Sequence, residues 1–140
     1  MKKNIITFLA IAVLGVFSVQ GANALSLKLK KEQANSQKII DENLAAVEKS
    51  CGCKPAIEVN WESFSKKDDF FIVSRAMSKI KDDMGETCKQ FKKEVCAGVK
   101  TVKIGKGKPW SANLKNGTME LTTPDYMNTF DVKKLLENNL

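Results

Sequence analysis

The 140-residue chain contains no histidine. That absence removes Ser-His-Asp and Cys-His nucleophilic catalysis, and with it the commonest metal ligand and proton shuttle. No G-x-S-x-G elbow, phosphate-cradling glycine loop or dinucleotide fingerprint occurs, and there is no internal repeat or low-complexity tract. Aromatic residues make up only 7% of the chain, which leaves little to stack on bases and argues against a nucleic-acid partner. There is one long apolar run, Ile5 to Val19, and no second of comparable length.

That run gives the first positive signal. Lys2 and Lys3 precede it and Ala22-Asn23-Ala24 follows, the pattern of a secretory leader with small residues where a signal peptidase reads. Residues 1–24 are therefore expected to be a cleaved signal peptide, cut near Ala24/Leu25, and residues 25–140 a single domain that is periplasmic or secreted. A transmembrane anchor is disfavoured because the run is short of the roughly 20 residues a bilayer requires. Leu25 stands where a lipid anchor would need cysteine. No transmembrane anchor is expected after cleavage, and the short lysine-led leader suggests a bacterial source.

All four cysteines lie beyond the leader, and exported compartments are oxidising, so two disulfides are expected. A Cys51–Cys53 bond would close a very small ring of poor geometry. Cys88 and Cys96 fall in a helical pattern that separates their Cα atoms by roughly 12 Å, beyond the reach of a disulfide. The spacing thus favours Cys51 and Cys53 bridging to Cys88 and Cys96, with the connectivity left open. Two competing uses are a redox-active dithiol at Cys51-Gly52-Cys53, near Lys49 and Lys54, and a zinc site. The C-x-C and C-x7-C spacings fit zinc poorly.

The remaining pattern predicts an α+β fold in the order α-β-α-β-β-β-α, with helices packed on one face of a mainly antiparallel sheet. Lys30 to Ser50 reads as helix, with Ile40, Leu44, Val47 and Cys51 on one face. Alternation at Ile57, Val59 and Trp61 reads as a strand. A second helix is expected from Ser65, capped by Ser65 and Asp68, carrying the stripe Val73, Met77, Ile80 and Met84 and stopping at Gly85, with a further turn carrying Cys88, Phe91 and Val95. Val99 to Ile104 reads as a strand whose partner across the helical crossover could be parallel. Asn116-Gly117 predicts a type I′ hairpin pairing Lys115 with Thr118, Leu114 with Met119, Ala112 with Leu121 and Trp110 with Thr123. Asn116-Gly117-Thr118 also matches the N-glycosylation pattern. Thr129 to Asn138 reads as a last helix.

Candidate functional residues follow from charge and aromaticity. Lys89, Lys92, Lys93, Lys100, Lys103, Lys106 and Lys108 face only Glu86 and Glu94 between residues 86 and 108. Such a stretch is either a solvated surface or a docking face for an anionic surface or acidic protein, with Lys100, Lys103, Lys106 and Lys108 as its contacts. The Trp61, Phe64, Phe70, Phe71 cluster is either core or an exposed patch in which Trp61 and Phe64 contact a partner, with Lys66 and Lys67 as its rim. Glu58 and Glu62 flank Trp61 as the one carboxylate pair weighed for glycoside chemistry, and Asp68-Asp69 and Asp82-Asp83 read as helix features. The expectation is an exported, non-catalytic binding or scaffold protein of the cell envelope, using no cofactor and no metal. Its partner would be an envelope or extracellular protein, or an anionic surface. A thiol-disulfide protein using Cys51 and Cys53 is the first alternative; an inhibitor of an exported hydrolase presenting Gly105 to Pro109 is the second.

Overall fold

The computed structural model describes residues 26–140, so the leader and its cleavage site lie outside the described residues. Helix α1 runs Leu27–Cys51, opened by Ser26, whose Oγ accepts the Leu29 N–H. Its apolar stripe, Ile40, Leu44, Val47 and Cys51, is buried at the helical period. Gly52 closes it in the left-handed region at φ 73°, and its N–H reaches Glu48 O at 2.7 Å. This is the terminating geometry that glycine adopts without a steric penalty.

Helix α2 spans Phe71–Gly98 and differs at both ends from the sequence expectation. It starts after two 3-10 turns, Trp61–Ser63 and Lys67–Phe70. Asp69, rather than Asp68, organises this entry: its Oδ2 accepts the N–H groups of Ser65 and Lys66. Gly85 does not stop the helix. It faces Ser50 of α1, between buried Met84 and Thr87, and packing of the two helices outweighs a glycine cost of about 1 kcal/mol. The helix breaks instead at Phe91, whose φ −124° and ψ 43° are not helical. Phe91 is consequently exposed, while Cys88 and Val95 on either side are buried.

The sheet contains β1 (Ala56–Val59), β2 (Thr101–Lys106), β3 (Ser111–Lys115) and β4 (Thr118–Thr123), in the order β1-β2-β4-β3. The α+β class and the element order are as the pattern implies, but the sheet is mixed and not mainly antiparallel. β1 pairs parallel with β2 across α2, and β2 pairs parallel with β4. Only β3 and β4 are antiparallel. A simple meander would place β3 beside β2. Here residues 107–110 instead cross two strand spacings, roughly 10 Å, and β4 fills the gap. The hairpin has the expected register at Lys115–Thr118, Leu114–Met119 and Ala112–Leu121, with Asn116 and Gly117 at φ 51° and 77°. Trp110 falls outside the ladder and stacks on Phe130.

Val102, Ile104, Met119 and Leu121 bury one sheet face beneath the helices, while Glu58, Lys103 and Glu120 stand exposed on the other. Helix α3 (Val132–Glu137) starts later than the pattern suggests, at Asp131, whose Oδ1 accepts the Lys134 N–H. Its Val132 and Leu136 close the core beside α2 and β3. The helices run parallel to one another and opposite to the parallel strands β1, β2 and β4, which gives the molecule two distinct ends. At one, β1, β2 and β4 finish and α2 begins; at the other lie the end of α1, the hairpin tip and the cystines.

Candidate functional site

At the cystine end Cys51 bonds Cys88 and Cys53 bonds Cys96, with Cα separations of 5.2 and 5.7 Å. This selects one of the connectivities that spacing leaves open, and no cysteine remains free. Cys51 and Cys88 are buried in the α1–α2 interface, whereas Cys53 and Cys96 are partly accessible. The turn at Gly52 directs the second cysteine away from the first. Both cysteines of the C-x-C sequence are thereby committed to α2.

The lysines of residues 89–108 do not form one face. Lys100 Nζ donates to Cys96 O at 2.7 Å at the cystine end, and Lys92 lies against Gly52 there. Lys103 stands on the open sheet face, 3.5 Å from Glu58 and in register with Glu120. Lys106 turns inward to Asp69, with Nζ 2.9 Å from Oδ1, and its N–H donates to Ser63 Oγ. Lys108 is exposed in the β2–β3 loop at the opposite end. Strand alternation alone explains the split between Lys103 and Lys106, three residues apart on β2.

Burial pushes the Asp69 carboxyl up, but hydrogen bonds from Lys106 Nζ and from the Lys66 and Ser65 N–H groups outweigh it and hold the pKa below the usual carboxylate value. Asp69 thus ties the entry of α2 to the end of β2. Asp83 does similar work lower on α2: Oδ1 takes Lys79 Nζ at 3.0 Å and Oδ2 accepts the Lys133 N–H at the start of α3. Both aspartates are structural fasteners. Asp82 is exposed beside Lys81, and Asp68 is exposed.

The aromatic cluster divides. Phe64 is 1% exposed and belongs to the core, so it offers no surface to a partner. Trp61 is half-buried, stacked on Phe70 and edge-on to Phe64. Phe71 points outward and packs on Tyr126 of the β4–α3 loop, with ring centroids 6.0 Å apart. Sequence pattern missed Tyr126, Met127 and Trp110. Their exposure arises from loops that periodicity does not describe, and the signal available was only that three large apolar residues sit in polar, turn-forming segments.

The open sheet face carries a shallow groove of about 380 Å³ at Glu58, Asn60, Lys103, Gly105, Glu120 and Thr122. Gly105 leaves the floor bare between Asn60 and Thr122, near the carboxyl ends of the parallel strands. Lys103 separates Glu58 from Glu120 there, and Glu62 is exposed on the neighbouring 3-10 turn, so the Glu58/Glu62 pair does not converge on this floor. Among the described residues no three His, Cys, Asp or Glu side chains are grouped to hold a metal ion. Nor is any described helix long and apolar enough to cross a membrane. Comparison with protein-family models, curated proteins and solved structures finds no match.

Proposed function

We propose that the protein is an exported, non-catalytic binding protein of the cell envelope. The observation that carries this reading is the pair of cystines, which consume every cysteine and clamp α1 to α2. Disulfides of this kind persist in oxidising compartments and suit a small domain that must hold its shape outside the cytosol. The leader pattern at residues 1–24 supports the same compartment. Binding is favoured over chemistry because the chain has no histidine and the two buried carboxylates, Asp69 and Asp83, are engaged by lysines and backbone N–H groups.

Cell fractionation combined with mass spectrometry tests the reading. The expected product lies in the exported fraction, shortened near Ala24/Leu25, with no thiol that alkylates before reduction. It should also bind isolated envelope fractions saturably. Recovery from the cytosol with four alkylatable thiols, or no saturable envelope binding, rejects the proposal.

A further inference from the structure

We infer that the partner is an anionic lipid surface, contacted by the end of the molecule where α2 begins and the parallel strands finish. This rests on the exported, envelope-binding reading above. At that end Phe71, Trp110, Tyr126 and Met127 are 53%, 47%, 40% and 69% exposed. Trp110 stacks on buried Phe130 and Tyr126 packs against exposed Phe71, so two rings with an apolar body and a polar tip stand at the surface, each against another ring. Such rings suit the boundary between headgroups and acyl chains.

Helix α1 adds to the same end. Its Glu32 meets Lys67 of the 3-10 turn before α2, at 3.6 Å, while its far end is bonded to α2 through Cys51 and Cys88. Counting back from that bond, α1 runs about seven residues, roughly 10 Å, past the start of α2. The overhang carries Leu27, 86% exposed, with Lys28, Lys30 and Lys31 also exposed. Lys66 and Lys108 are exposed in the adjoining loops. Against these lysines stand Asp125, which accepts the Met127 and Asn128 N–H groups, Glu32, which holds Lys67, and the exposed Glu62 and Asp68, so the lysines remain in excess. Protruding apolar side chains bordered by lysines complement anionic headgroups, since each basic residue near such a surface adds about 1 kcal/mol.

Before the leader is cut, its position favours the same orientation. The apolar run ends at Val19 and α1 begins just after Ser26, so at most roughly 25 Å of extended chain separates them. While the run is engaged with a bilayer, this end of the domain is the one held nearest to it. The cystine end points away, which leaves the staples clear of the surface.

The test uses the disulfide-bonded protein recovered after export and vesicles of phosphatidylcholine with or without phosphatidylglycerol. A Trp61→Phe background leaves Trp110 as the sole tryptophan, and its emission should shift to the blue only with the anionic vesicles. The double variant Phe71→Ser/Met127→Ser changes exposed side chains, so its unfolding midpoint should hold while partitioning weakens by about tenfold or more. Lys92→Gln/Lys93→Gln, at the opposite end, should leave binding near its original strength. The inference is overturned by equal binding to both vesicle types, by no binding, or by loss in the Lys92/Lys93 variant with retention in the Phe71/Met127 variant. If vesicles are ignored but protease-treated envelopes lose their saturable binding, the partner is a protein: the envelope-binding reading stands and the lipid inference fails.

Discussion

Asp69 shows how one side chain can set the joint between two elements. Its Oδ2 accepts two backbone N–H groups before α2 and its Oδ1 takes the Lys106 ammonium from the end of β2. The folded carboxyl has a depressed pKa, so the unfolded chain binds the proton more readily. Stability from this group is complete above the ordinary carboxylate value, about 4, and is lost as pH falls through the lower folded value. Asp69→Asn should therefore cost about 2 kcal/mol at neutral pH, the scale of hydrogen bonds to a charged group. The difference from the parent should shrink in acid. Denaturant titrations at neutral pH and near pH 3 check this, and a pH-independent difference would show that the charge is not what matters. The sequence showed two adjacent aspartates at a helix start; it could not show that Lys106, far along the chain, selects Asp69 and not Asp68.

Among the elements, the helices were the most legible. The stripe Ile40, Leu44, Val47, Cys51 and its counterpart Val73, Met77, Ile80, Met84 were visible as a period, and both are buried. What periodicity could not reveal was the break at Phe91, since the sequence offers no proline or terminal glycine to mark it. Nor could alternation tell which strand lies beside which: Val102, Ile104, Met119 and Leu121 bury the same face whether β4 sits next to β2 or beyond β3. The cystines join the helices with unequal access, because Cys51 and Cys88 are sealed between α1 and α2 and Cys53 and Cys96 are not. Limited reduction followed by alkylation should thus label Cys53 and Cys96 first. Replacing either pair by alanine should destabilise by about 4 kcal/mol on the chain-entropy model, with separations of 37 and 43 residues. Simultaneous release of both bonds would mean that the α1–α2 contact opens before either is attacked.

At the scale of the whole molecule, both helical and sheet contacts converge on one core, from Ile40 and Val47 of α1 through Ile80 of α2 to Leu121 and Leu136. The oxidised protein should therefore unfold in a single transition, with helix content and tryptophan environment changing together in denaturant. Separate transitions would mean that α1, attached chiefly to α2, is an independent unit. The candidate surface was less legible than the core: the lysine run read as one face is divided between two ends and the open sheet, because strand alternation and loop direction decide where each charge goes. The placement of β4 between β2 and β3 also orders events in a chain that emerges amino-terminus first. All four cysteines appear by residue 96, ahead of every strand but β1, so the two helices can be covalently joined while the middle of the sheet does not yet exist. Until Thr118–Thr123 arrives, β2 presents a bare edge, the template for mispairing with other chains. The last strand then slots into a frame that oxidation has already fixed, which shortens the time that edge must wait.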